Sequence, residues 1–414
     1  MTDPRHILLF ATTTGYQTKM FLDAAKRLGV QFTLATDRCH QLDDPWGDNA
    51  IAVRFEDPIG SLHSIAQRGP FQAVGALADR TTLLAALYAE RAFLAFHPSH
   101  AIEAARSKFL SKERFRAAGL RLPPFWRYRL DSDAQQAAVQ VPYPCVLKPL
   151  GLSGSRGVIR ADNPVEFQGA FRRIRDLLSE PDIRRLAEDQ KDFLQVEGFI
   201  PGREYALEGI VTNGTLQVLA IFDKPDPLDG PYFEETIYVT PSRESPAIQA
   251  AIIQTVEQAI RALGFSHGPV HAEVRHNAAG AWILEVAGRP IGGYCAKALR
   301  FDNGMPLEEL LLRHALGEDV TGLQREAAAS GVMMIPIPKA GIYRGVEGVE
   351  AARQVAGIDD VLISATIGQT LKTYPEASSY LGFIFARAAQ PGEVEAALRS
   401  AHQQLSFEIM TTLT

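Results

Sequence analysis

Apolar and polar positions follow three rhythms along this chain, and the changes of rhythm mark its elements. From His6 to Phe10 a short apolar run leads into the polar loop Thr12 to Tyr16, after which Met20 to Leu28 carries helical spacing and stops at Gly29. Gln31 to Ala35, Ala50 to Phe55 and Ala73 to Ala76 are further runs of strand length. Such an opening predicts a small parallel sheet whose first loop lies where open α/β sheets take ligands. A polar turn with a helix cap explains that loop equally well. Thr81 to Phe96 is a helical stretch rich in Ala and Leu, and His97-Pro98-Ser99 breaks it at a first domain boundary. Ala101 to Gly119 predicts a basic amphipathic helix pair.

Beyond that boundary the pattern shortens. Cys145-Val146-Leu147 predicts a strand that delivers Lys148 into Gly151 to Gly157, and Val158-Ile159-Arg160 predicts its return. Phe193 to Glu208 holds two strands joined by Pro201-Gly202, with Glu204, Ala206 and Glu208 on one face of the second. Ile248, Ile252, Val256, Ala259 and Leu263 are spaced for a helix that ends at Gly264. Val270 to Arg275 alternates strictly, His276 to Gly280 supplies a turn, and Trp282 to Ala287 returns as a strand. His271, Glu273 and Arg275 then share one face, and Glu273 lies beside Glu285. Phe222 to Thr240, rich in Pro and charge, is expected to be a long surface loop lining a substrate pocket. After Gly331, strands at Val332 to Pro338, Val361 to Ser364 and Tyr380 to Ala386 and a helix at Val394 to Leu405 predict a small α+β cap.

Composition narrows the function classes. With 414 residues, 46% hydrophobic, the chain is long enough for about three domains with cores of their own. A net charge of −6, with no basic stripe, argues against nucleic-acid and polybasic membrane partners and for small molecules. Cys39, Cys145 and Cys295 are too few and scattered for a disulfide framework, and no secretory or membrane-spanning run is seen, so a cytoplasmic location is expected.

Two clusters carry chemistry. The Gly151–Gly157 loop contains three glycines, two serines and an arginine, so its backbone N–H groups could fold over phosphates while Lys148 supplies a point charge. It lacks the order of a P-loop and is followed by a strand, so neither Walker nor Rossmann chemistry fits; a lid on a hairpin does, with an ordinary turn as the alternative for the loop taken alone. Glu273 and Glu285, side by side on a hairpin, repel each other unless a cation lies between them, and such oxygen ligands suit Mg²⁺ carried on phosphates. Glu204 suits a ribose or a metal shell, or is simply the polar edge of a strand.

Taken in order, Lys108, Lys148, Gly151-Leu152-Ser153-Gly154-Ser155-Arg156-Gly157-Val158, Val196-Glu197-Gly198-Phe199-Ile200-Pro201-Gly202-Arg203-Glu204, Glu273 and Leu284-Glu285-Val286-Ala287-Gly288-Arg289-Pro290 resemble the ATP-grasp superfamily. Within it the chain is most similar to the L-amino-acid ligases, which make dipeptides. That likeness extends to Asp223-Lys224-Pro225-Asp226, Arg289-Pro290-Ile291-Gly292-Gly293 and Pro336 to Tyr343. It implies an ATP-grasp fold of mixed α/β and α+β class: a Rossmann-like domain at 1–97, an ATP-grasp domain at 98–330 with a lid at about 122–200, and the C-terminal α+β cap at 331–414. It also implies ATP and one or two Mg²⁺ ions, with Mn²⁺ as a substitute, and it admits a homodimer.

The resemblance further implies a role for each residue. Lys108 and Lys148 would contact ATP, and Ser153, Gly154, Ser155, Arg156 and Gly157 would close over its phosphates. Glu197 would take the adenine amino group, with the backbone of Gly198, Phe199 and Ile200 around the ring, and Glu204 would hold the ribose. Glu273 and Glu285 would bind the metal, and Arg289, with Lys148, would stabilise the transferring phosphate. Asp223, Lys224, Glu235, His271, Arg275, Gly292 and Gly293 are candidates for amino-acid contacts. Ala287 stands where many members place a metal-binding asparagine, so a second Mg²⁺ would need another ligand or water. The expected reaction activates a carboxylate as an acylphosphate for attack by an amine, with Mg²⁺, Lys148, the loop and Arg289 neutralising charge and the closed loop excluding water. A biotin- or purine-type carboxylase and a non-catalytic nucleotide-binding module are the alternatives.

Overall fold

The computed structural model describes residues 5–12, 17–37, 49–186, 190–377 and 379–411; the loop residues Thr13 to Tyr16 and Cys39 lie outside them. The amino-terminal unit is a parallel sheet in the order Ile51–Ala52, Gln31–Thr36, His6–Phe10, Ala73–Ala76. Ile7, Leu8, Leu9 and Phe10 are fully buried, as a strand covered on both faces requires.

The largest sheet is antiparallel and eight-stranded. From edge to edge it runs Gly280–Ala287, Gly268–Asn277, Arg203–Thr212, Thr215–Asp223, Ile237–Thr240, Ala329–Ile335, Gly382–Ala388, Ile358–Ile363. The helix Pro246–Leu263 packs on it through Ile252, Val256, Ala259, Ile260 and Leu263. Both its ends are set locally: the Ser245 hydroxyl accepts from the Ile248 N–H, Pro246 opens the first turn, and Gly264 closes the last in the left-handed region at φ 84°.

A smaller four-stranded sheet forms the lid, ordered Phe125–Arg129, Phe193–Gly198, Cys145–Pro149, Ile159–Ala161. Its own core is Leu147, Ile159, Phe167, Phe171, Ile174 and Val196, under the helix Pro164–Ser179, which Asn163 caps. Phe193–Gly198 and Arg203–Thr212 therefore do not pair with each other; the chain crosses from lid to central sheet between them. Only glycine fits at the crossing, because a Cβ on Gly202, at φ 121°, would lie 2.3 Å from the His276 carbonyl oxygen.

One expectation is corrected. Phe222 to Thr240 is not a surface loop throughout: Ile237–Thr240 is a buried central strand, and the preceding turn buries Lys224, Leu228 and Phe233. The expected C-terminal α+β unit is present and is joined to the central sheet, since Ser330 to Met333 pairs with Ile237 to Thr240. Unforeseen strands Gly341–Glu347, Thr370–Leu371 and Ser406–Met410 form a small second sheet behind it.

Candidate active site

A cavity of about 380 Å³ lies where lid, central sheet, amino-terminal unit and C-terminal unit meet. Along the lid side, the Lys148 ammonium donates to the Glu197 carboxylate at 3.1 Å, and Gln195 donates to its other oxygen at 2.6 Å. Glu197 is almost fully buried; burial alone would raise its pKa, but Lys112 and Lys148 beside it bring it down to about 2. Lys112, which the sequence reading passed over, is fully buried on the helix Lys108–Ala117. Its ammonium lies 3.8 Å from Glu197 and donates to the Ile283 carbonyl at 3.0 Å. Burial lowers Lys112 to about 8, against the pull of Glu197. One turn earlier, Lys108 donates to the Leu152 carbonyl at 2.6 Å and so holds the start of the glycine loop.

Ser153, Gly154 and Ser155 line the cavity, as do Gly198, Phe199 and Ile200. Gly154, Ser155 and Gly157 have φ values of 64°, 54° and 72°, which curl the loop back on itself. Arg156 and Gly157 are placed differently from expectation: both turn outward, Arg156 Nε donating to the Glu376 carbonyl at 2.9 Å and the Gly157 N–H to the Pro375 carbonyl at 2.7 Å.

The floor is acidic. Glu204, Glu235 and Glu273 offer carboxylate oxygens within 4.8 Å of one another. The buried Lys224 ammonium touches all three, at 2.7, 2.5 and 3.3 Å, so their mutual repulsion is offset by an internal cation. Glu273 also lies 3.7 Å from His271 Nε2, whose Nδ1 bonds Glu208. Burial would lower His271, but the Glu208 charge raises it to about 9, so the ring is an imidazolium at neutral pH. Glu273 and Glu285 are direct cross-strand partners. Glu285 has no hydrogen-bonded protein partner among the described residues, and the two carboxylates face the cavity; this donor pair fits a hard divalent cation, while Ala287 adds no oxygen.

Arg275 is a strut: it donates to Glu204 at 2.9 Å, to the Ile200 carbonyl at 2.6 Å and to the Leu228 carbonyl. Asp223 lies off the cavity, accepting from Ser242 at 2.6 Å and the Arg243 N–H at 3.0 Å. Gly292 and Gly293 line the cavity beside Arg289. Arg289 is gripped side-on by Asp79, with both N–O distances 2.9 Å, and donates to the Pro290 carbonyl at 3.0 Å. Asp79 opens the helix Asp79–Ala92 at the C-terminal end of the parallel sheet, the place where such sheets take ligands, which is the signal that could have found it.

Comparison with known proteins bears on the fold and the family. Residues 141–298 match the family model of the ATP-grasp domain, and residues 333–410 match L-amino acid ligase C-terminal domain 2. The chain thus carries an ATP-grasp domain followed by a C-terminal domain of the L-amino acid ligase type. The L-amino acid ligase from Bacillus licheniformis is 26% identical and superposes with a TM-score of 0.83 over 99% of this chain and all of that one. Alanine–anticapsin ligase of Bacillus subtilis is 25% identical over 51% of this chain and 47% of its own. N5-carboxyaminoimidazole ribonucleotide synthetase from Thermotoga maritima, 15% identical with a TM-score of 0.70 over 98% of this chain and all of that one, shares the fold. The chain spans between 20% and 62% of the length of the curated relatives it matches.

Among the described residues no helix is long and apolar enough to cross a membrane.

Proposed function

We propose that this protein is an ADP-forming ligase that joins the carboxylate of one amino acid to the amine of another. The observation that carries the reading is the convergence, in one cavity, of the glycine loop with Lys148 on one wall and Glu273, Glu285 and Arg289 on the other. A carboxylate is a poor electrophile. In the reaction proposed, its oxygen bonds to the γ-phosphorus of ATP as the bond to the β-phosphate oxygen breaks, leaving ADP and an acylphosphate. The amine nitrogen then bonds to the carbonyl carbon, the carbon–oxygen bond to phosphate breaks, and the nitrogen gives up a proton.

This chain's residues bind and orient the reactants. The loop N–H groups of Ser153 to Ser155 and the Lys108 and Lys148 ammonium groups neutralise phosphate charge. Arg289 offers donors at the other side of the phosphate, and loop closure keeps water from the acylphosphate. Glu273 and Glu285 would hold Mg²⁺, which when bound screens the phosphate oxygens. The pairing of Glu197 with Lys148 leaves adenine recognition chiefly to the backbone of Gly198 to Ile200, and Glu204 is the ribose ligand nearest that edge.

The test is phosphate release from ATP over pairs of amino acids, with mass spectrometry of the products and oxygen-18 in the substrate carboxylate. Dipeptide formation with label passing into phosphate is the expected result. Phosphate release that depends on bicarbonate instead, or label that stays wholly in the product or enters AMP, would overturn the assignment.

A further inference from the structure

The C-terminal unit contributes Met334, Ser379, Tyr380 and Phe383 to the cavity, none of them charged, while the Glu235 carboxylate of the acidic floor acts on Tyr380 from beside them. The Tyr380 and Phe383 rings meet edge-on, centroids 6.0 Å apart. Such a wall favours an apolar or aromatic side chain on the amino acid that reaches it.

The same C-terminal segment also grips the glycine loop from outside. The Tyr374 hydroxyl lies 3.3 Å from the Gly154 carbonyl oxygen and 3.2 Å from the Tyr380 hydroxyl. A phenol carries one proton, so both bonds form together only if Tyr380 donates to Tyr374 and Tyr374 donates to Gly154. The next two residues continue the grip, Pro375 and Glu376 accepting at their carbonyls from Gly157 and Arg156. The Glu376 carboxylate pairs with Arg173 on the lid helix at 2.5 and 2.8 Å. These contacts connect the phosphate loop to the wall of the apolar pocket.

We propose that Tyr374 is a positioning residue that couples the two ends of the site: an apolar side chain packed on Tyr380 and Phe383 fixes the Tyr380–Tyr374 hydroxyl chain, which holds the glycine loop over the nucleotide. An amino acid too small to reach Tyr380 adds nothing to the hold of this chain on the loop. The inference rests on the ligase reading of this site and adds to it a class of substrate side chain and a way to couple its binding to loop closure. Coupling of this kind is reciprocal, so the amino acid and the nucleotide raise each other's affinity by one factor.

The experiment measures the affinity of the imido analogue of ATP with Mg²⁺ by calorimetry, alone and with saturating L-leucine, L-phenylalanine, L-aspartate or glycine. In the wild-type protein, leucine or phenylalanine should tighten nucleotide binding about 5- to 10-fold, within the usual range for coupled sites, and glycine and aspartate should act less. Tyr374→Phe, which keeps the ring, should bring that ratio close to one; a purely structural tyrosine would change both affinities and leave their ratio alone. Tyr380→Phe removes the same hydroxyl chain from its other end and serves if the first variant does not fold. An unchanged ratio in the folded variant overturns the coupling, as does a wild-type ratio of one for all four amino acids. A larger ratio for aspartate or glycine overturns the apolar pocket. If no amino-acid pair supports phosphate release by the wild-type protein, the ligase reading fails and this inference with it.

Discussion

Arg289 carries five N–H donors, and the protein takes three: two for Asp79 and one for the Pro290 carbonyl. One donor on each terminal nitrogen remains, so Asp79 orients the guanidinium without consuming it. Arg289→Lys should therefore keep nucleotide binding and lose about 100-fold or more in kcat, because a lysine cannot offer a planar fork to a phosphate in flight. Asp79→Asn should lower kcat about 10-fold with little change in the KM for ATP, and steady-state kinetics separates the two; a KM effect alone would place Arg289 in ground-state binding. At the metal pair, Glu285→Gln should abolish turnover and weaken Mn²⁺ binding, read by electron paramagnetic resonance, with little change in thermal stability since Glu285 makes no hydrogen bond to protein among the described residues. Wild-type turnover at high Mg²⁺ would sink that assignment. The Glu273–Glu285 pair was legible only in part: alternation puts one glutamate on each strand of the hairpin, but the regular register from Asn277 opposite Gly280 would set Glu273 against Leu284, and a β-bulge between Glu273 and Val274 is what brings it opposite Glu285. Asp79, Lys112 and Tyr380 were not legible, because each depends on which distant segments pack together, and a single lysine in a basic helix looks like a solvated one until the helix is docked.

At the scale of elements, the glycine hairpin and the helix Pro246–Leu263 were both legible, one from a run of glycines and the other from an apolar stripe with caps at both ends. What the hairpin sequence concealed is that its glycines do different work. A Cβ on Gly157 would lie 2.6 Å from Pro149 Cγ at a φ of 72°, whereas one on Gly154, at φ 64°, would meet open space. Gly157→Ala should thus lower stability by about 2–3 kcal/mol, from strain plus overlap, and Gly154→Ala by about 1 kcal/mol, from strain alone. Thermal unfolding of the two variants checks the order, and equal losses would mean that the loop rearranges around Pro149. The turn after Thr215–Asp223 was misjudged for an opposite reason. Its prolines and charges look like surface, yet Lys224 is drawn inward by Glu204, Glu235 and Glu273, a compensation between residues far apart in the chain. The strand Ser406–Met410 was passed over because, of its five residues, only Ile409 is buried, too faint an apolar signal to count.

Across the whole molecule, units far apart in sequence are joined by buried groups whose protonation should weaken the fold in acid. His97 leaves the amino-terminal unit and donates from Nε2 to the Pro269 carbonyl at 2.9 Å. Nearby, His267 and His314 stack at 4.1 Å, and His314 Nε2 bonds the Thr212 hydroxyl at 2.8 Å. Burial lowers His97 to about 3 and His314 to about 4, with the neighbouring imidazoles adding to the effect, and lowers His267 as well. Below the ordinary histidine value near 6.5 the unfolded chain takes up protons that the fold refuses, so stability falls as pH drops from about 6.5 towards 4. Glu308 acts in the opposite sense. It is buried, with neither carboxylate oxygen hydrogen-bonded to another residue among the described ones, and burial raises it to about 7, so its charge costs stability above the ordinary carboxyl range and that cost disappears on acidification. Glu308→Gln should raise the melting temperature at about pH 8, where the charge is removed, by an amount worth about 1–2 kcal/mol, and change little at about pH 5. In that variant the acid loss from the junction histidines is no longer masked by Glu308 and is worth about 2 kcal/mol for each fully buried ring between pH 7 and pH 5, offset in part by His271, whose raised pKa adds stability on acidification. His97→Gln in the Glu308→Gln background should flatten the profile in that window. A profile as steep as before would mean that the acid sensitivity of the fold arises elsewhere than at this junction.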